Sequence, residues 1–262
     1  MGTRRERRPG ARTRNPWRGL VGLAVLTCAV TGASCGNVIT PKYEYEEDVY
    51  LALDGSATVY VNASVAALVA LRDAPLPLDP AARLDRNDVR AYYQGPGARV
   101  ASVSTSRRDG RRYVHLRVEV DDIRTLSRLA PFSWSAYGLQ EKDGLWNFTQ
   151  QVTSAAGKDA GNVGWRGDEL VAVRLHLPSR VPFHNAPGRT IERGNIITWE
   201  QRLTARAKGE PLSIEVHLER ESILFQTLAL FAGMALAAVS TLAVLIWWVW
   251  RKGKRAASQP TP

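Results

Sequence analysis

ILFQTLALFAGMALAAVSTLAVLIWWVW, Ile223 to Trp250, constrains this chain more than any other stretch. Its 28 residues carry no charge. Wound as a helix they reach ~42 Å, more than the ~30 Å hydrocarbon core of a bilayer, so the segment crosses with tilt or with its ends in the interface. Trp247, Trp248 and Trp250 gather at one end as an interfacial belt, and RKGKR follows at once. That charge places the tail, residues 251–262, in the cytoplasm and whatever precedes residue 223 outside it. Such a tail is too short to build a core of its own.

Residues 1–34 read as a secretory signal peptide. Seven arginines and one glutamate come first, then the apolar run Leu20 to Val30, then small residues from Thr31 to Ser34. The apolar run is too short to span a membrane, which takes about 20 residues. Cys28 and Cys35 are the only cysteines in the chain. A disulfide between them would close a short loop with no core to stabilise. Ala33 and Ser34 fit a lipobox, in which Cys35 is acylated and becomes the mature N-terminus, while Gly32 stands where that pattern has leucine. Cleavage after Ala33 by an ordinary signal peptidase is the competing reading. Lipidation of Cys35 is the expectation, with Cys28 a filler removed with the signal.

A net charge of +10 and a pI near 10.0 invite a nucleic-acid reading, and the placement of the charge removes it. Taking away the seven arginines before Cys35 and the four basic residues after Trp250 leaves 24 basic residues, and taking away Glu6 leaves 24 acidic ones. The middle is neutral. The excess charge flanks the two apolar segments as a topology signal, and no nucleic-acid partner is expected.

Residues 36–222 are the exported domain. Three Asp-Gly pairs, at Asp54, Asp109 and Asp143, each sit between runs of alternating polarity, the signature of a tight β-hairpin. Between the hairpins the period lengthens. VAALVALRD reads as a helix, DPAARLDRNDVRAYY as a second capped by Asp79 with Pro80 at its first position, and Asp121 to Ala130 as a third. Residues 154–169 are glycine-rich and read as a loop, followed by strands around 170–177, 195–207 and 211–220. The class is α+β, an antiparallel sheet of successive hairpins with helices on one face, plus one C-terminal transmembrane helix, 223–250. Residues 36–153 and 169–222 are candidate subdomains, and the pattern leaves open whether the second part completes the first sheet.

A signal ending at a cysteine, a first hairpin containing DGSATV, and a late NIITWE strand leading towards a spanning helix with a basic tail resemble the LppM-type domain of bacterial envelope lipoproteins. The resemblance implies a membrane-anchored domain associated with lipid binding, with no established enzymatic activity, and supplies no site residues.

The residues themselves show little catalytic chemistry. His115, His176 and His217 alternate with apolar neighbours and fall on the polar faces of their strands, while His184 sits in a loop. No Gly-x-Ser-x-Gly turn, no phosphate-cradling loop and no cluster at metal-ligand spacing is present, so neither an enzyme, a metal nor a cofactor is expected. Asn62 and Asn147 match glycosylation patterns that are common by chance. One feature stands out. Phe132, Trp134, Tyr137, Trp146 and Phe148 crowd the third hairpin, with aromatics assigned to both of its faces, more than a one-sided core requires. They are the candidate ligand-binding surface, with a hairpin buried on both sides as the competing account. Ala229, Gly233, Ala237 and Thr241 recur every four residues and could let two spanning helices pack closely as a weak homodimer. The function expected is binding of lipid or another apolar envelope molecule at the cell membrane. The alternative is a protein-interaction module of the envelope.

Overall fold

The computed structural model describes residues 42–153 and 158–257. The signal peptide, Cys35 with its lipidation, and the last residues of the tail lie outside the described residues.

The hairpins form where the alternation placed them. β1 (Tyr43–Leu51) pairs with β2 (Ala57–Ser64), β3 (Ala98–Arg108) with β4 (Arg111–Val120), and β5 (Ser135–Lys142) with β6 (Leu145–Val152), all antiparallel. The second and third turn on two residues. Asp109, Gly110, Asp143 and Gly144 have φ of 50, 75, 53 and 78°, the left-handed pair that this tight turn demands. The first turn is longer, because Asp54 Oδ1 accepts from both the N–H and the hydroxyl of Ser56, at 2.9 and 2.7 Å, and the chain closes between Leu51 and Ala57.

The later strands are β7 (Leu170–His176), β8 (Phe183–His184), β9 (Ile196–Arg202) and β10 (Leu212–Glu219). There are two sheets where the sequence suggested one. Six strands run in the order β3-β4-β2-β1-β7-β9, and four in the order β5-β6-β10-β8. Residues 169–222 are therefore not a subdomain. They contribute two strands to each sheet, and so cover the edges that β1 and β6 would otherwise leave open. One pair is parallel: β1 runs beside β7 from Tyr43 opposite Leu170 to Tyr50 opposite His176.

The helices are α1 (Val65–Arg72), α2 (Arg86–Tyr93), α3 (Leu203–Ala207) and α4 (Ile223–Ala257). Ser64 caps α1, its hydroxyl accepting from Ala67 N at 3.0 Å. All eight residues of α1 are buried, seven of them apolar and the eighth Arg72. The segment after Asp121 forms two short 3-10 turns, Ile123–Arg128 and Ala130–Phe132, in place of an α-helix. The second helix starts later than Asp79. Asp79 makes only a turn, with Ala81 N on its Oδ1 at 2.9 Å, and Asp85 caps the true start through Asn87 N at 2.8 Å. The reason is competition for carbonyls. A helix from Pro80 would need the Pro80 and Ala82 carbonyls for its own ladder, and these accept from Arg107 Nη2 and Arg112 Nη1 at 2.8 and 2.7 Å.

Inward-facing residues of the two sheets share one core, in which Tyr45, Val49, Val59 and Val61 of the large sheet join Tyr137, Leu139, Phe148, Val216 and Leu218 of the small one. Glu47 is fully buried within it and accepts from Tyr45 Oη and Tyr137 Oη, both at 2.9 Å, and Gln150 Nε2 at 3.1 Å. Three donors make this burial of a carboxylate tolerable. Burial in turn pushes both phenols well above their usual pKa, Glu47 adding to the effect.

At one end of the large sheet, α4 begins. Ile223 N donates to Pro178 O at 3.0 Å, two residues beyond the end of β7. Residues Ile223–Arg251 are long and apolar enough to cross a membrane, with a mean hydropathy of 2.3. The ridge Ala229, Gly233, Ala237 and Thr241 is exposed along α4. A Cβ on Gly233 would meet nothing within 4 Å.

Candidate functional site

The five aromatics singled out by their crowding are packing residues, apart from the rim position of Trp146. Phe132, Trp134, Tyr137 and Phe148 are buried, and Trp146 is half-buried against the same core. The register explains the apparent excess. Leu139 lies opposite Phe148 and Tyr137 opposite Gln150, so Tyr137, Leu139, Trp146 and Phe148 share the core face of the hairpin. Phe132 and Trp134 precede β5 altogether, in and just after a 3-10 turn, so strand parity does not apply to them. What occupies Trp134 is charge. The Arg72 guanidinium stacks on its ring, Arg206 stands 5.6 Å from its centroid, and Tyr45 meets it edge-on at 5.4 Å.

The open space lies elsewhere, on either side of the strap that links α1 to α2. Asp73 ends α1 in the left-handed conformation, and Ala74 to Pro80 then carries prolines at 75, 77 and 80. Prolines lack an N–H, so the strap can run over the surface with few backbone partners of its own. Its carbonyls are held by arginines of the β3–β4 hairpin: Arg112 bonds the carbonyls of Pro77 and Ala82, and Arg107 that of Pro80.

Between the strap and residues 160–164 is a groove of about 450 Å³. Val65, Ala66, Leu78, Pro80, Ala160 and Val163 give it apolar walls, and Arg111 and Arg112 stand at one side. Ala66, Ala70 and Ala160 form a small apolar cluster of their own beneath it, against which Leu78, Val163 and Trp165 pack. The far wall is pinned through Glu44, a buried carboxylate that accepts from Tyr113 Oη at 2.6 Å and Trp165 Nε1 at 3.2 Å and pairs with Arg111 Nη2 at 2.9 Å. Burial, and then the bond to Glu44, raise the Tyr113 pKa. Arg111 Nη1 reaches on to Gly164 O at 3.3 Å, tying the loop to the hairpin.

On the other side of the strap, between α2 and β3, is a wider groove of about 1210 Å³. Arg83, Arg86, Arg90, Arg107 and Arg112 line it, and its single acid, Asp85, is engaged as the α2 cap. Neither groove was legible in the sequence, because each is assembled from three or more separate segments. The run PLPLDP was the available signal, since a proline strap cannot be absorbed into a helix or a central strand.

Both grooves lie at the end of the large sheet remote from α4. Val65 and the Asp109-Gly110 tip sit near the start of β1, whereas α4 is bonded beyond the end of β7, which parallels the end of β1. Along the strands this is roughly 20 Å.

The histidines stay apart. His115 bridges Asn62 Oδ1 at 3.0 Å and Ser106 Oγ at 2.8 Å, His176 stacks on Tyr50 at 3.8 Å, and His217 contacts Glu215 at 3.0 Å. His184 Nδ1 accepts from Ala186 N at 3.3 Å. No group of three potential metal ligands occurs among the described residues.

No family model and no curated protein matches the chain. Among solved structures, the folded domain of the Mycobacterium tuberculosis LppM protein, determined by NMR, aligns with 70% of this chain and 94% of its own length. The identity is 14% and the TM-score 0.37. The chain thus resembles the LppM folded domain weakly, and the likeness brings no site residue with it.

Proposed function

We propose that this is a membrane-anchored, extracytoplasmic domain of the cell envelope that binds an apolar or lipid-like molecule, and that the site is the groove between the strap and residues 160–164. The observation that carries the reading is the apolar cluster of Ala66, Ala70 and Ala160, set apart from the large shared core and lying beneath an open groove. Its volume of about 450 Å³ falls within the ~300–1,000 Å³ usual for small-molecule sites. Arg111 and Arg112, with Asp79 and Asp109 beside them, suit a ligand with a polar end. The distance from α4 shapes the mode of action. A site roughly 20 Å along the strands from the membrane helix suits a molecule already lifted from the bilayer, held for transfer or presentation.

The test is mass spectrometry of lipids that accompany the full chain, purified from membranes. Val163→Glu, which sets a carboxylate in the apolar wall, should reduce the bound lipid about tenfold while the fold is retained. Trp146→Ala should leave it unchanged. Lipid retained in Val163→Glu, or absent from the parent chain, overturns the assignment.

A further inference from the structure

β3 is the outermost strand of the six-stranded sheet. Its hydrogen-bonding parity can be worked out from both ends. At the hairpin, Arg108 and Arg111 flank a two-residue turn and so exchange hydrogen bonds, which alternate from there to Ser106, Ser104 and Ser102. At the other end, the Ala98 N–H and carbonyl are turned to Gly95, away from β4, and the one-residue shift between Val100 and Ser102 reconciles the two counts. Val103, Thr105 and Arg107 therefore point their N–H and C=O groups outward. None of the three makes a backbone bond to any other described segment. The same three residues line the groove of about 1210 Å³. A free strand edge thus forms one wall of a groove whose opposite wall is α2.

The groove has a definite charge. Five arginines line it, and among the described residues none of them makes an ion pair, in a domain whose charges balance as a whole. Burial and then the charge of Arg107 lower the Arg112 pKa, with Asp79 acting weakly the other way. A second copy of this chain is a poor occupant. Its own β3 would bring Arg99, Arg107 and Arg108 against the same residues.

We propose that β3 is a docking edge for an extended acidic segment of another protein, which joins the sheet as an added strand with its acidic side chains turned into the arginine-lined groove. Strand addition supplies affinity through main-chain bonds to Val103, Thr105 and Arg107. Because side chains alternate along a strand, the acids fall at every second position of the partner, ~7 Å apart. Its intervening residues meet the outer face beside Ser102, Ser104 and Ser106. This site is separate from the proposed apolar groove, although Arg112 borders both.

The test uses the full chain in detergent and a fluorescent peptide of about eight residues with glutamate and threonine in alternation, followed by fluorescence anisotropy. Binding is expected to weaken as salt rises, since screening acts on exposed charge. Thr105→Pro removes an outward N–H without touching the β4 ladder and should weaken binding about tenfold, and Arg86→Glu with Arg90→Glu should abolish it. A second arm leaves the protein intact and N-methylates alternate amides of the peptide. One of the two methylation patterns should then lose binding about tenfold. No binding at millimolar peptide overturns the proposal, and so does equal binding of both methylated peptides, which would reduce the groove to a plain attractor of negative charge. Because the second arm uses the unaltered protein, a misfolded Thr105→Pro does not decide the matter.

Discussion

The β5–β6 hairpin and the strap between α1 and α2 are both rich in apolar residues, and they end in opposite roles. The hairpin carries Tyr137, Leu139, Trp146 and Phe148, all turned to one face and all packed against the first sheet. The strap carries Ala74, Leu76 and Leu78 beside its three prolines, and although Ala74 and Leu76 reach the core, it borders open space on both sides. The difference is in what holds each. A ladder brings the hairpin's side chains together at fixed spacing, and dense packing follows. The strap hangs by its carbonyls from Arg107 and Arg112, which fix its backbone without drawing its flanks closed. Aromatic crowding in this chain therefore marks where space is filled, and proline with arginine marks where space is kept.

The contrast can be broken in four ways, from the largest effect to the smallest. Phe148→Ala empties the shared core and should cost about 3–5 kcal/mol in denaturant unfolding, with lipid binding kept in whatever fraction remains folded. Loss of binding at equal folded fraction would return a binding role to the hairpin. Arg112→Ala releases two strap carbonyls and should cost about 1–3 kcal/mol, and it should abolish lipid binding by merging the grooves. A variant as stable as the parent, with binding intact, would show that the strap needs no such suspension.

Alkali separates the regions differently. In the unfolded chain the phenols ionise near their ordinary value of 10.0, whereas burial raises Tyr45 and Tyr137 well above it in the fold. The protonated phenols are thus favoured by folding. Their contribution is whole below pH 10 and is lost progressively as pH rises beyond it. Hydrogen exchange above pH 10 should open β1 and β5 first, and Tyr137→Phe should flatten the pH dependence. A melting curve unchanged between pH 9 and 11 would contradict this. The smallest effect belongs to α4, where Gly233→Leu should weaken any crosslinked dimer without altering the domain's unfolding. Absence of a dimer in native membranes removes that idea.

How much of this could be read beforehand follows the range of each interaction. α4 and the Asp109-Gly110 and Asp143-Gly144 turns are local, and their residues alone specify them. Asp54-Gly55 carries the same dipeptide, but Ser56 captures the aspartate and lengthens the turn. The helix that the pattern places from Asp79 does not form there, because its carbonyls are claimed by arginines from another hairpin. An arginine bonded to a distant carbonyl leaves no periodic trace. The splitting of residues 169–222 between two sheets is equally non-local, set by which edges remained to be covered. The candidate site suffered most. Crowded aromatics are visible along a chain, whereas a groove is visible only once three segments have met.

The parallel β1–β7 pair has a mechanical consequence. It sets the start of β1 some seven residues, ~23 Å, behind the end from which α4 departs. The chain therefore enters the sheets at the end remote from α4 and leaves them beside it. A pull between the start of β1 and α4 would run along the β1–β7 ladder and load its hydrogen bonds together in shear, whereas a pull across the sheet would part them one at a time.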